Sequence, residues 1–175
     1  MELIKNGIEI FPEVQMTTSR LFVDERGFFR ETFRKSWSEI SFVQDNHSFS
    51  KQGVIRGMHF QRSPGQVKWV TVLTGTIFDV IVDIRKASPT FGKWAGIYLE
   101  AEKGDQILIP NGFAHGFCVT SYEAHVLYKV SSYFDPQEEK SFRYNDPDIN
   151  IQWPCETPIL SERDAEAPRF FEACS

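Results

Sequence analysis

The sequence predicts an all-β protein, a closed barrel or jelly roll of short antiparallel strands. Two observations lead to this fold class: short runs with alternating apolar residues occur throughout the chain, and Gly, Pro and Asp separate them. The clearest runs are residues 67–73 and 76–84, which Thr74 and Gly75 separate as a turn. With 175 residues and no linker rich in Gly, Ser or Pro, residues 1–175 are predicted to form one domain.

The run at residues 76–84 has apolar side chains on both of its faces. Because alternate residues of a strand point to opposite sides, Asp79 and Asp83 share a face with Ile77 and Ile81. Carboxylates that alternate with apolar residues indicate a face that meets a polar cavity rather than a dry core. The remaining predicted strands are residues 3–10, 27–32, 54–60, 96–99, 106–109, 116–119 and 125–130.

Helix is predicted only in short pieces at the periphery. Residues 35–40 are the expected helix of the front half, and the tail from Ser161 onward is expected to hold another turn or two. Residues 135–158 are rich in Pro, Asp and Asn, and we predict that they form an ordered loop lying on the barrel. The expected architecture is therefore a double-stranded jelly-roll barrel with short peripheral helices.

Composition and charge exclude several kinds of partner. The formal net charge is −5, and no run of Lys or Arg provides the basic surface that nucleic-acid binding needs. No apolar run reaches membrane-spanning length and the N-terminus does not resemble a signal peptide, so we expect a cytoplasmic protein without a membrane partner. Cys118, Cys155 and Cys174 form no CxxC pair, which argues against a structural zinc and a disulfide framework.

Two segments place a histidine beside a glycine on a predicted strand. GDQILIPNGFAHGF, residues 104–117, fits the pattern G-x5-P-x-G-x2-H of the cupin signature, so His115 is expected to point into the mouth of a cupin-type barrel. Metal-binding cupins supply His-x-His and a later Glu from the other segment, whereas here Gln61 follows His59 and Lys68 stands on the next strand. Because an ammonium opposes a bound dication, the sequence predicts this barrel without a metal.

The same region offers groups for acid–base chemistry. His59 is the candidate base, because imidazole titrates near neutral pH, and Tyr128 has a phenol that can return a proton to a carbanion. Lys68 offers a positive charge for an enolate or a phosphate. Arg56 lies on the opposite face of a regular strand, unless a bulge at Gly57 brings it to the cavity of His59. Taken singly, a hydrogen-bonded structural histidine and a core tyrosine are the commoner explanations.

Together, these residues and their surroundings resemble the dTDP-4-dehydrorhamnose 3,5-epimerase family over nearly the whole chain. The resemblance implies a homodimeric, cofactor-free jelly roll that exchanges N-terminal strands between subunits and acts on a dTDP-4-keto-6-deoxy sugar. It also implies a place in rhamnose biosynthesis, with lipopolysaccharide or another glycan as the destination. The matching segments are DERGFFRETF (24–33), FVQDNHSFSKQGVIRGMHFQ (42–61), FDVIVDIRKASPTFGKW (78–94), IPNGFAHGF (109–117), NDPDINIQWP (145–154) and LSERDAEAP (160–168).

The resemblance also assigns roles to individual residues. His59 is similar to the family's proton acceptor, Tyr128 to its proton donor, and Asp164 to the carboxylate that binds the base. Lys68 and His115 match residues near the sugar and its carbonyl. The positions that match nucleotide, pyrophosphate and other substrate contacts are Arg26, Glu31, Gln44, Asp45, Asn46, Arg56, Glu139 and Arg163.

One position departs from the family pattern. Many members carry two adjacent tyrosines after the donor, the second of which stacks on thymine, whereas this chain reads SSYFDP with Phe134 in that place. Phenylalanine keeps the stacking face and loses one hydroxyl.

Other functions are compatible with parts of this pattern. A related enzyme that inverts only carbon 3 or only carbon 5 would use the same base and acid. A non-catalytic sugar-nucleotide binder and a metal-dependent cupin dioxygenase are the alternatives from other classes, because barrels of this type carry many functions.

Overall fold

The fold is built almost entirely from short antiparallel strands. The computed structural model describes residues 4–175, with side chains from residue 8 onward. The α-helices of this described part are α1 (Glu162–Ala165) and α2 (Phe170–Ala173), and each is a single turn. In chain order the strands are β1 (Ile4–Ile8), β2 (Phe11–Thr18), β3 (Phe22–Asp24), β4 (Gly27–Phe29), β5 (Gln44–Lys51), β6 (Ile55–Gln61), β7 (Lys68–Thr74), β8 (Thr76–Asp83), β9 (Trp94–Glu100), β10 (Asp105–Ile109), β11 (Phe113–Val119), β12 (Glu123–Val130) and β13 (Glu139–Ser141).

Two facing sheets form the body of the protein. One sheet has the strand order β1-β2-β10-β7-β12-β5, and the other has the order β13-β6-β11-β8-β9. The apolar core between them takes Val70 and Ile107 from the six-stranded sheet and Ile81 and Phe117 from the five-stranded sheet. The prediction of an all-β jelly roll with small peripheral helices is confirmed.

Strand β8 shows why its sequence is apolar on both faces. Ile77 and Ile81 point into the core between the sheets. Val80 and Val82 point the other way, into a second apolar cluster that the C-terminal part of the chain completes with Phe142, Ile149 and Phe170 among others. The C-terminal segment therefore packs on the outer face of the five-stranded sheet, which brings α1 close to β6.

The helix predicted at residues 35–40 is shorter than expected. Only Lys35–Trp37 is helical, as a 3-10 turn in which Trp37 N–H donates to the carbonyl of Arg34 at 2.9 Å. The Ser38 hydroxyl accepts the backbone N–H of Ile40 at 3.1 Å, and the backbone of Ser38 is extended. A serine side chain that binds its own local backbone competes with the helix, and here it ends the turn.

Three further predicted elements differ from the structure in their bounds. Of the predicted strand 3–10, residue 3 lies outside the described residues and β1 ends at Ile8. The predicted strand 27–32 ends at Phe29, after which Arg30 leaves the hairpin to donate to the carbonyls of Val72 and Ala101. The predicted loop 135–158 lies on the five-stranded sheet, but its residues Glu139–Ser141 form β13 on the edge of β6.

Strands β2, β3 and β5 are not predicted from the sequence. Strand β2 contains Pro12, which cannot donate to a ladder and weakens a strand prediction. Strand β5 reads QDNHSFSK, in which a single residue, Phe49, is apolar. Its polarity has a structural reason, because one of its faces borders the cavity described next.

Candidate active site

A cavity of about 210 Å³ lies between the two sheets. Eight of the predicted site residues line it, and they come from both sheets and from the segment that follows β12. They are Asn46, Arg56, His59, Lys68, His115, Tyr128, Phe134 and Glu139. Ser48, Gln66, Phe117 and Val130 complete the lining.

A bulge in β6 brings Arg56 and His59 to the same cavity. In the register with β11, His59 pairs with His115 and Arg56 with Phe117, so β6 holds one residue more than its partner between these pairs. Gly57 has φ +120°, and a Cβ atom there would lie 2.6 Å from the Cα of Gly116. Only glycine fits this conformation and this close approach, and the bulge proposed from the sequence is confirmed.

His59 is held by a buried carboxylate from the C-terminal segment. Its Nε2 lies 2.6 Å from Oδ1 of Asp164, whose side chain is 4 % exposed. Oδ2 of Asp164 accepts the backbone N–H of Gly57 at 3.4 Å, and the Asp164 N–H donates to Ser161 at 3.2 Å as the N-cap bond of α1. Burial opposes ionisation of Asp164, but the hydrogen bonds from His59 and Gly57 prevail and lower its pKa.

This arrangement determines which ring nitrogen of His59 can act. An ionised Asp164 is an acceptor only, so the proton of the neutral ring sits on Nε2 and the lone pair sits on Nδ1. The side chain of His59 is 25 % exposed. Nδ1 is therefore the atom that can accept a proton from a molecule in the cavity.

Tyr128 stands on the opposite wall. It belongs to β12 of the six-stranded sheet, whereas His59 belongs to the five-stranded sheet. Burial raises the pKa of its phenol, against the smaller opposite effects of the Ser48 hydrogen bond and the Arg56 charge. The hydroxyls of Tyr128 and Ser48 are 3.2 Å apart. The phenol is thus protonated at neutral pH and can give its proton away.

Lys68 is half-buried and provides a positive charge on the same sheet as Tyr128. Its Nζ donates to the carbonyl of His59 at 3.4 Å. Burial lowers its pKa to about 8, while the charges of Glu139 and Asp79 act in the opposite direction. The side chain is therefore mostly an ammonium at neutral pH and loses its charge slightly above it.

A second histidine–carboxylate pair lies beside the first. Nε2 of His115 is 2.7 Å from Oδ2 of Asp79 on β8, and both side chains are buried. The ring centroids of His115 and Tyr128 are 6.3 Å apart, so this pair faces the phenol across the cavity. A base, an acid, an ammonium and a second imidazole converge on one space, which is suited to moving protons next to a carbonyl.

Comparison with known proteins agrees with this geometry. A family model described as dTDP-4-dehydrorhamnose 3,5-epimerase matches residues 9–172. This chain belongs to that family. The dTDP-4-dehydrorhamnose 3,5-epimerase of Shigella flexneri is 46% identical over 180 residues, which cover 99% of this chain and 98% of the relative.

Solved structures of 3,5-epimerases superpose closely on the chain. The enzyme from Legionella pneumophila, in complex with dTDP-4-keto-L-rhamnose, is 42% identical with a TM-score of 0.90, covering 96% of this chain and 93% of the other. The enzyme from Bacillus anthracis, with TDP and PPi bound, is 41% identical with a TM-score of 0.91, covering 97% and 100%. The predictions of this family, of an isomerase and of rhamnose biosynthesis are confirmed.

Two predicted site residues, Arg163 and Gln44, lie outside the cavity and form hydrogen bonds to residues that line it. Arg163 donates to Glu139 at 2.6 Å, next to Asp164 on α1. The Gln44 side chain accepts the backbone N–H of Phe134 at 3.2 Å and donates to Asn46 at 2.7 Å. Both therefore act on cavity-lining residues rather than lining the cavity themselves.

Three other predicted residues are not brought to the cavity of this chain. Asp45 points to the outer face of β5 and pairs with Lys129 at 2.8 Å. Arg26 lies on the exposed β3–β4 hairpin, where it pairs with Asp24, and Glu31 pairs with Arg34 just beyond that hairpin.

Ser48 and Asp79 belong to the site but are not predicted as site residues from the sequence. The alternation of β8 indicated a polar cavity on the Asp79 side, but it did not indicate His115 as the partner. Ser48 carries no such signal, because its strand was not predicted. Within residues 4–175, no group of three or more His, Cys, Asp or Glu side chains is arranged to hold a metal ion, and no helix there is long and apolar enough to cross a membrane.

Proposed function

We propose that this protein inverts carbons 3 and 5 of dTDP-4-keto-6-deoxyglucose to give dTDP-4-keto-L-rhamnose. The observation that carries the proposal is that His59 and Tyr128 line one cavity from opposite sheets. Inversion at a carbon needs a base and an acid on opposite sides of the ring, since the proton leaves one face and returns on the other. The Legionella relative, whose title names a bound dTDP-4-keto-L-rhamnose, supports the substrate class.

The proposed reaction runs through an enolate. The ketone at carbon 4 acidifies the hydrogens on carbons 3 and 5, so one site serves both carbons. Nδ1 of His59 removes the proton, and the electron pair of the C–H bond moves into the enolate, whose oxygen meets the Lys68 ammonium. Tyr128 then protonates the opposite face of the carbon, and exchange with solvent restores both side chains. There is no net oxidation, so we propose that the reaction needs no redox cofactor. We also propose that it needs no metal, because the Lys68 ammonium supplies the positive charge for the enolate oxygen and opposes a bound dication.

The nucleotide part is proposed to lie along the cavity's outer side. Arg56 is fixed by hydrogen bonds to Ser50 and to the carbonyl of Phe49, which orients its guanidinium for a phosphate. The ring of Phe134 is 49% exposed and lines the same cavity, so it offers a face for thymine. We propose that the Glu139–Arg163 pair and the Gln44–Asn46 pair complete this part of the site.

The test is solvent exchange in heavy water with the keto sugar as substrate, followed by NMR. We expect deuterium at both carbon 3 and carbon 5. The His59→Ala variant should lose exchange at both carbons, whereas Tyr128→Phe should still exchange substrate protons and fail to complete inversion. Deuterium at one carbon only would identify a mono-epimerase, and unchanged exchange in His59→Ala would remove His59 from the role of base.

We propose that the active unit is a homodimer in which N-terminal strands are exchanged. The β3–β4 hairpin supports this proposal, because Phe22, Val23, Phe28 and Phe29 are all exposed on it, and an exposed apolar hairpin suits an interface. Arg26, which matches a substrate contact in the family, lies on the same hairpin and outside the cavity of its own chain. A partner's hairpin would bring this arginine to the site.

Mixed dimers test the exchange. If each site takes Arg26 from the partner, co-expression of Arg26→Ala with His59→Ala chains forms one intact site per mixed dimer, and about a quarter of wild-type activity returns. Co-expression of His59→Ala with Asp164→Ala is the control and should recover nothing, because both residues belong to one site. Equal failure of both mixtures would contradict the shared site.

We propose that the protein is located in the cytoplasm. The free thiols of Cys118, Cys155 and Cys174 suit a reducing compartment. Fractionation of the native cells with an antibody against the protein would test it.

A further inference from the structure

Among the described residues, the buried carboxylate of Asp79 has only one hydrogen-bond partner. Its side chain has 0 % exposure and its Oδ2 lies 2.7 Å from Nε2 of His115. No donor among residues 4–175 reaches Oδ1, which is also buried. Leaving a buried acceptor without a partner is costly, and more so for a charged group, so this carboxylate calls for a functional explanation.

The charged and titratable groups near Asp79 are those of the active site. His115 contacts it directly from β11. Its charge also acts on Lys68 of β7 and on Tyr128 of β12, and it raises the pKa of both. The remaining titratable groups of the cavity are Arg56 and His59 on β6 and Glu139 on β13.

We propose that Asp79 is a positioning residue, which fixes the proton of His115 on Nε2 and supplies the buried negative charge that keeps Lys68 an ammonium. This inference rests on the proposed function, in which Lys68 meets the enolate oxygen. It assigns no contact with the substrate to Asp79 itself.

The His115 part follows from the geometry of the pair. An ionised Asp79 can only accept, so the proton of the neutral His115 ring points toward it. The structure gives Nδ1 of His115 no hydrogen-bond partner among the described residues, and His115 lines the cavity. Nδ1 is therefore left as an acceptor for a hydroxyl of the sugar.

The Lys68 part follows from burial. An ammonium in the interior tends to lose its proton, and a nearby carboxylate opposes that loss. Asp79 and Glu139 are the two carboxylates that do so here. Asp79 is on the sheet opposite Lys68 and is sealed from solvent, so its charge is little screened.

The same strand provides a matched control. Asp83 lies four residues further along β8 and is equally buried, but Arg85, Ser88 and Thr90 bind its carboxylate fully. Asp83→Asn therefore removes a buried charge from the same face of the same strand without touching the cavity.

The first experiment compares pH–rate profiles of Asp79→Asn, Asp83→Asn and the wild type. For Asp79→Asn we expect the basic limb of kcat to move down by about one pH unit, from about pH 8 to about pH 7, so that kcat falls about twofold at pH 7 and about tenfold at about pH 9. The KM should stay close to the wild-type value, because the lost charge acts on the enolate rather than on the bound ketone. For Asp83→Asn we expect a lower Tm and an unmoved basic limb. An unmoved limb in Asp79→Asn, or an equal shift in both variants, overturns the proposal.

The second experiment needs neither a variant nor a substrate, so it stands even if the proposed function fails. Nitrogen-15 NMR of the wild-type imidazoles from about pH 6 to about pH 9 reports which ring nitrogen carries the proton. We expect the neutral ring of His115 to carry it on Nε2. A neutral ring protonated on Nδ1 overturns the proposal, whatever the enzyme's activity.

Discussion

The two histidine–carboxylate pairs of the cavity have the same contact and different surroundings. His59 and Asp164 are joined at 2.6 Å, His115 and Asp79 at 2.7 Å. In the first pair both carboxylate oxygens are hydrogen-bonded and the histidine is partly exposed. In the second pair both side chains are sealed from solvent, and one carboxylate oxygen has no donor among the described residues.

The same histidine–carboxylate contact therefore serves a different purpose in each pair. Asp164 is fully bonded, so its orientation is fixed and it fixes the orientation of the base. One carboxylate oxygen of Asp79 has no hydrogen-bond partner among the described residues. The charge of Asp79 raises the pKa of Lys68 and of Tyr128, in addition to holding His115. The first carboxylate mainly determines geometry, and the second mainly determines charge.

The largest expected effect follows from replacing Asp164 by Asn. The amide oxygen would stay on the Gly57 N–H, because no other described residue offers a backbone donor to this side chain, and the NH2 group would face His59. The ring would then carry its proton on Nδ1, the atom that must accept the substrate proton. We expect kcat to fall about 10⁴-fold, as for other bases held in the wrong tautomer, with an unchanged fold.

Glu162→Gln is the control for this variant, because Glu162 is exposed on the same helical turn. Steady-state kinetics should show no loss for it. If Asp164→Asn loses no more than Asp79→Asn, the contrast between the two pairs is wrong. In Asp79→Asn the amide is free to turn, since its second oxygen position has no partner among the described residues, and His115 keeps an acceptor.

The second prediction concerns Lys68, on which the charge of Asp79 acts. Because the reactive form is the ammonium and its pKa is about 8, kcat of the wild type should fall as the pH rises through about 8. Below about pH 8, Lys68→Met should lose about 10²- to 10³-fold, as when one donor to a developing oxyanion is removed, and this loss relative to the wild type should shrink at higher pH. Lys68→Arg keeps the charge at all these pH values, so its residual activity should lack the basic limb.

Initial rates between about pH 6 and about pH 10 measure this. A basic limb that persists in Lys68→Arg would assign that limb to another group, such as Tyr128, and would also weaken the case for Asp79.

Local sequence signals predicted most of the strands and the histidines of both pairs, but not which carboxylate each histidine binds. The pattern around Gly112 and His115 and the glycine at position 57 are local, so barrel and bulge could be predicted from residues that are neighbours in the chain. Asp164 lies 105 residues from His59 and Asp79 lies 36 residues from His115. Only the family resemblance indicated Asp164, because no local pattern encodes which strand faces which helix.

Strand β5 shows a second reason for failure. Its inward residues Asn46 and Ser48 are polar because they line the cavity, so the alternation that identifies a half-buried strand is absent. The helix predicted at residues 35–40 is too long for a local reason, because the hydroxyl of Ser38 binds the local backbone and the helical turn ends at Trp37. A functional surface therefore hides the structural signal of the strand that carries it.

The smallest expected effect comes from Ser161, which contacts neither histidine. Its hydroxyl caps α1 by accepting the N–H of Asp164 at 3.2 Å, so Ser161→Ala removes one of the contacts that hold this carboxylate in place. We expect a loss of about 1 kcal/mol in the free energy of unfolding and a fall in kcat of a few-fold. Ser161→Thr keeps the cap and should restore both values. Because Gly57 and His59 still hold Asp164, a loss as large as that of Asp164→Asn would mean that the cap, rather than the bonds to the carboxylate, orients the base.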